Sequence, residues 1–230
     1  MLRASLARCA GALAATALHL PGSAAAAALP ACLAPAGGQS IEETVIAAPV
    51  PDPEVLQRLA YAEGRSTGFP DDPLVYRAIA WGVMNRVRLA GASPAMRRQF
   101  GSGIPGVAFR KGQFNPAVSS RSPFSKDFLC PRDPQGWRHA EEAATEALGG
   151  KGNPFLATAW EQETGLSLVV NFYYPASVQA KGPLAPWEGS RSLVFVGDVR
   201  IGEGVLPAER IRFYRLAVPP HDVSAAEAVR

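Results

Sequence analysis

The chain has 230 residues, a formal net charge of +3, and 47% hydrophobic against 19% charged residues. So weak a basic bias, with no Lys/Arg cluster interleaved with aromatics, excludes nucleic acid as the expected partner. The apolar content and length allow one domain with a sizeable core, and no apolar run reaches the ~20 residues of a membrane span.

Arg3 and Arg8 precede an apolar run from Cys9 to Leu20, and Pro21-Gly-Ser-Ala-Ala-Ala-Ala-Ala-Leu29 follows with small residues suited to signal peptidase. Residues 1–28 are therefore expected to be a secretory signal, cut between Ala24 and Ala28, and the protein to be periplasmic or secreted. Leu29-Pro-Ala-Cys32 is only faintly like a lipoprotein processing site. Loss of the leader removes Arg3 and Arg8 with no acid, leaving the remainder even closer to neutral. Cys9 leaves as well. Cys32 and Cys130 then remain, and in an oxidising compartment they can pair; equally, Cys32 has no role in a loose leader.

Residues 29–51 are rich in Ala, Pro and Gly and read as a disordered linker. Residues 52–218 are expected to form one domain, and residues 219–230 a flexible tail. In Val55-Leu-Gln-Arg-Leu-Ala-Tyr-Ala-Glu-Gly-Arg65 the residues Val55, Leu59 and Ala62 recur at helical spacing, as do Leu56, Ala60 and Glu63. Glu63 thus lies on the apolar stripe, where desolvation raises a carboxyl pKa and keeps it protonated for general-acid work. Gly64 reads as the helix stop. The plainer alternative is a Glu at a frayed helix end with its head in water, and this stretch alone favours the plainer one.

Asp72-Pro73 starts a second helix with Val75, Ile79, Val83 and Val87 as its seam, ending near Gly91-Ala-Ser-Pro94. Residues 101–132 are rich in Gly, Ser and Pro and read as binding loops around Gly112-Gln-Phe-Asn-Pro116. Asp133-Pro134 starts a third helix with Trp137, Ala140, Ala144 and Leu148 on one face and Gly149-Gly150 at its end. Leu166 to Tyr174, Ser192 to Val196 and Ile211 to Leu216 then read as strands. Helices first and short strands later give an α+β fold.

Metalloprotease, Cys-x-x-Cys, phosphate-loop and dinucleotide motifs are all absent. Of the three histidines, His19 falls in the leader and His221 in the tail. A His-rich metal site is excluded, and no cofactor is expected. A Cys130/His139 thiol site is disfavoured, because Cys130 precedes Pro131 in a loop and His139 falls on the exposed side of its helix. What remains is Glu63, Arg65, Asn85, Gln113, Phe114, Asn171, Tyr173 and Tyr174. A carboxyl group among amide and phenol donors and aromatic faces has the chemistry of a carbohydrate site. Each of these residues also has an ordinary structural reading: Asn85 can bond helix backbone, Gln113 can be a turn residue, and the tyrosines ordinary strand residues.

Tyr61-Ala-Glu-Gly-Arg65, Ala80-Trp-Gly-Val-Met-Asn-Arg-Val-Arg88, Gly112-Gln-Phe114 and Phe172-Tyr-Tyr-Pro-Ala176 resemble, in order and spacing, the SleB-type cell-wall hydrolases, a family that includes spore-cortex-lytic enzymes. The resemblance extends over the Ala-rich third helix, Asn153-Pro154 and Arg212-Phe-Tyr214. It implies a lysozyme-like fold, peptidoglycan glycan strands as the partner of a monomeric enzyme, and Glu63 as catalytic acid. Gln113 and Tyr173-Tyr174 would line the cleft. The chain departs from the family in having Tyr174-Pro-Ala where many relatives have Asn-Pro-Ala, and in insertions at Ser119 to Asp133 and Gln179 to Ser190. No second acid falls within the family-like motifs. That favours lytic transglycosylation by one Glu over two-carboxylate hydrolysis, with Asp71, Asp72 and Glu161 leaving hydrolysis open. A non-catalytic wall-binding protein and a Cys/His peptidase or amidase are the alternatives.

Overall fold

Several helix starts in this chain are written as a capping side chain followed by proline or an acidic residue, and a computed structural model describing residues 28–223 places those accordingly. The expected signal segment lies outside the described residues, apart from Ala28. Ser40 and Glu43 form a reciprocal capping box on α1 (Ile41–Ala47). α2 spans Asp52–Ser66. Asp72 accepts from the Leu74 amide at 3.0 Å, with Pro73 opening α3 (Pro73–Ala92). α4 (Pro94–Phe100), α5 (Gly103–Ala108), α6 (Asn115–Val118) and α7 (Ser125–Leu129) are short. Asp133 caps α8 (Pro134–Gly149), which Gly150 ends in the left-handed conformation at φ 76°. α9 (Ala159–Thr164) leads into the strands.

The strands are β1 (Val169–Tyr173), β2 (Leu193–Phe195), β3 (Val199–Ile201), β4 (Gly204–Leu206) and β5 (Arg212–Leu216). β1, β5 and β2 form an antiparallel sheet in that order, and β3 pairs with β4 in a separate hairpin. The architecture is α+β, helices first and a small antiparallel sheet after them. α3 is its axis: Val75, Ala78, Ile79, Trp81 and Val83 are fully buried, because α2 and α8 cover one side and β1 another. Among the described residues no helix is long and apolar enough to cross a membrane.

Several expectations are corrected. Gly64 does not stop the first helix; it sits inside α2, where a Cβ would meet the Tyr76 ring at 2.5 Å, so a hydrogen at this position is what lets α2 and α3 approach. The stretch 101–132 is not open loop but carries α5, α6 and α7, whose buried Ile104, Val107 and Phe128 join the core. Leu148 is turned outward and Ala147 takes its place in the α8 seam. His139 is half-buried, not exposed, and tilts its ring against Tyr76.

Residues 29–51 are not a disordered linker. Composition alone gave them no core of their own, but they borrow one: Ile41 and Val45 are buried in the main cluster. Arg58, itself buried, donates to the carbonyls of Phe128, Leu129 and Ala31, fastening this segment to α2 and α7. Cys32 and Cys130 form a disulfide across 98 residues of sequence. The expected flexible tail is likewise pinned at its start, where Asp222 accepts from Ser93 Oγ at 2.6 Å and the Ala95 amide at 2.8 Å, and Val223 is buried. Residues 224–230 lie outside the described residues.

A cross-link closing so long a loop removes much of the unfolded chain's freedom. Replacing both Cys32 and Cys130 by serine should therefore lower unfolding stability by about 2–4 kcal/mol in a denaturant titration, while leaving the fold intact. Unchanged stability would mean that the segment around Cys32 is not covalently held.

Candidate active site

Close packing at two glycines sets the site. Gly64 lets α2 lie on α3 through Tyr76, and at Gly82 a Cβ would meet Phe172 at 2.8 Å, so β1 presses directly on α3. The C-terminal turn of α2, the middle of α3 and the end of β1 converge there on a cleft of about 350 Å³. Of the sequence candidates, Glu63, Gln113, Asn171, Tyr173 and Tyr174 line it.

Glu63 is 5% exposed. No group among the described residues hydrogen-bonds its carboxyl with standard geometry. The Tyr174 hydroxyl faces it and lowers its pKa, yet that buried oxygen closes no hydrogen bond either. Burial dominates: it pushes the Glu63 carboxyl up to about 7, against the smaller opposing effects of Tyr174 and of the positive charge on Arg86. The same burial drives the Tyr174 phenol well above its ordinary value, a shift reinforced by the neighbouring carboxylate, so it is a hydrogen-bond donor at any working pH.

Arg86 was missed by sequence reasoning. It is 5% exposed, lines the cleft, and spends its Nε on the Val170 carbonyl and its Nη1 on Gln113 Oε1 at 2.6 Å. Its guanidinium carbon lies 4.7 Å from the Phe114 ring centre, 5.1 Å from Phe172 and 5.7 Å from Phe100. Burial lowers its pKa only to about 10, so it stays a cation at neutral pH. Because arginine can only donate, Gln113 must turn its oxygen to Arg86 and its NH₂ elsewhere, where it has no protein acceptor among the described residues. The signal for Arg86 was present in the Asn-Arg pair at positions 85 and 86, but on a helix buried nearly all round no polar face told the two apart.

Three candidates are corrected. Asn85 faces away from the cleft: its Nδ2 donates to the Val169 carbonyl at 3.1 Å and its Oδ1 accepts from Asn153 at 2.9 Å, tying α3 to β1. Arg65 pairs with Asp133 at 3.4 Å beside α8. Phe114 is 1% exposed and serves as one wall behind Arg86, not as a sugar platform. A half-buried aromatic ring lining the cleft is instead that of Trp187, from the loop between β1 and β2, which packs edge-on against Tyr173 and Tyr214.

Among the described residues Glu63 is the only acid lining this cleft. Asp71 is exposed and does not line it; Asp72 caps α3 and pairs with Arg210. Glu161 is fully buried, accepting from the amides of Ala157, Thr158 and Leu168. No family model matches the chain, and neither does any curated protein or solved structure.

A neutral, buried carboxyl that binds its proton more tightly in the folded than in the unfolded chain has a defined pH signature. Between pH 4.5 and about 7 the unfolded chain releases this proton while the folded one retains it, so stability falls as pH rises through that window. Glu63→Gln removes the titration. The variant's stability relative to wild type should therefore grow by up to about 3 kcal/mol from pH 4.5 to pH 8. Parallel urea titrations measure it, and a constant difference across pH would show that Glu63 is not held neutral.

Proposed function

We propose that this chain is an exported cell-wall enzyme of the SleB-type group, with a lysozyme-like fold, that cleaves the MurNAc–GlcNAc bond of peptidoglycan as a lytic transglycosylase. The observation that carries the proposal is a single buried carboxyl group, pushed up to about 7, in a cleft with no second acid among its lining residues. Two-carboxylate hydrolysis requires a partner across the sugar; transglycosylation needs one group acting twice.

In the first half-reaction Glu63 donates its proton to the glycosidic oxygen, and the bond from that oxygen to the muramic acid anomeric carbon breaks. The Glu63 carboxylate so formed is stabilised by the nearby positive charge of Arg86 and by the Tyr174 hydroxyl that faces it. In the second, the carboxylate takes the proton of the muramic acid 6-hydroxyl as that oxygen bonds to the anomeric carbon. The product carries a 1,6-anhydro bond, Glu63 is protonated again, and no water is consumed. The Gln113 NH₂ and Asn171 supply polar contacts to sugar hydroxyls, and the Trp187 ring supplies a stacking face.

The alternative of a thiol peptidase loses its nucleophile, since Cys130 is bonded to Cys32. Glu63→Gln preserves size and some hydrogen bonding but transfers no proton. It should reduce release of wall fragments by at least the ~10²–10⁴-fold typical of a lost general acid, with binding to insoluble peptidoglycan kept. Wild-type activity should fall as pH rises through about 7, because only the protonated form can begin the reaction. Mass spectrometry of the fragments should find 1,6-anhydromuramic ends. Reducing ends would move the mechanism to hydrolysis, and undiminished release by folded Glu63→Gln protein would remove the assignment.

A further inference from the structure

Three residues lining the cleft carry a formal charge: Glu63, Arg86 and Lys181. With Glu63 protonated the cleft therefore holds two cations and no anion. Neither cation has a carboxylate within ion-pair distance among the described residues. Arg86 is buried against the protein and committed to Val170 and Gln113, whereas the Lys181 side chain is exposed at the cleft wall.

Lys181 lies in the loop between β1 and β2, which has no regular secondary structure, yet its backbone is tied to the end of β1. Its amide donates to the Tyr173 hydroxyl at 3.1 Å, and the same hydroxyl donates to the Gly182 carbonyl at 2.7 Å. Tyr173 immediately precedes Tyr174, whose phenol faces Glu63, so one strand end sets the position of both the acid's neighbour and Lys181. Glu188 is the loop's only acid and is taken by Arg212 at 3.1 Å and by Tyr214, leaving Lys181 un-neutralised from within the loop.

We infer that Lys181 is a specificity-determining residue that pairs with a carboxylate carried by the glycan substrate. The inference rests on the glycan-cleaving reading above and adds to it a charge requirement. In peptidoglycan that carboxylate has two sources. Strands stripped of peptide expose the 3-O-lactyl carboxylate of muramic acid. Strands that keep their stem have that group amidated and carry the stem peptide's carboxylates instead.

Binding to the inactive Glu63→Gln protein, measured by calorimetry, separates the possibilities with three probes: peptide-free glycan oligomers, stem-bearing oligomers and neutral chito-oligosaccharide. Adding Lys181→Gln should weaken one or both carboxylate-bearing probes about fivefold, as expected for a partly exposed ion pair, and leave chito-oligosaccharide binding unchanged. Lys181→Arg should restore the loss. Weakening confined to peptide-free oligomers identifies the lactyl group, and weakening confined to stem-bearing oligomers identifies the stem. Equal effects on all three probes, or on none, would overturn the role of Lys181 while leaving the glycan reading in place. Failure of all three to bind Glu63→Gln protein would overturn both.

Discussion

Everything at this site depends on a carboxyl group whose burial outweighs the opposing pull of the Tyr174 hydroxyl and the Arg86 charge. A Glu63 carboxylate in direct contact with Arg86 would be held ionised, since a close opposite charge lowers a carboxyl pKa by ~1–3 units and would offset the burial. The fold prevents that contact. Two of the Arg86 nitrogens are bound to Val170 and Gln113, and its plane is enclosed by Phe100, Phe114 and Phe172. The guanidinium is thus near enough to steady a carboxylate once formed and too constrained to abolish the neutral acid. Desolvation wins over attraction, and the result is a proton available near neutrality.

That balance is geometric before it is electrostatic. Gly64 and Gly82 each admit an aromatic ring where a methyl group would not fit, one between α2 and α3 and the other between α3 and β1. These contacts fix the acid on a helix end, the cation on the central helix and the phenol at a strand end. Asn85 and Asn153 reinforce the α3–β1 joint from the far side, and Glu161 braces the entry to β1 through the Leu168 amide. A site spread over three elements is only as well defined as the packing that joins them.

The helices whose starts are spelled out locally were legible: Asp72-Pro73 and Asp133-Pro134 cap α3 and α8 as their chemistry dictates, and Gly150 ends α8. The apolar stripe that contains Glu63 was legible for the same reason, since a helical period is a local property. What escaped sequence reasoning depends on partners distant in the chain. Residues 29–51 have too few apolar side chains for a core of their own, but they are held by Arg58, by a disulfide and by a core built elsewhere. Gly64 has the composition of a helix stop, and only the Tyr76 ring across the interface shows why it is inside one. Asn85 and Arg86 are adjacent in a helix with little exposed surface, so periodicity did not reveal which one meets the cleft. Lys181 and Trp187 come from an irregular loop held by the Tyr173 hydroxyl, by Glu188 on Arg212 and Tyr214, and by the packing of Trp187.

The proton on Glu63 can be observed directly. Carbon-13 NMR of glutamate carboxyl groups over a pH series, with the Glu63 resonance assigned by its absence from Glu63→Gln protein, reports its titration in the folded chain. A carboxyl group held neutral by burial should titrate with a midpoint of about 7, well above the ordinary 4.5. A midpoint at or below 4.5 would contradict it, because a carboxyl group already ionised at neutral pH could not serve as the acid.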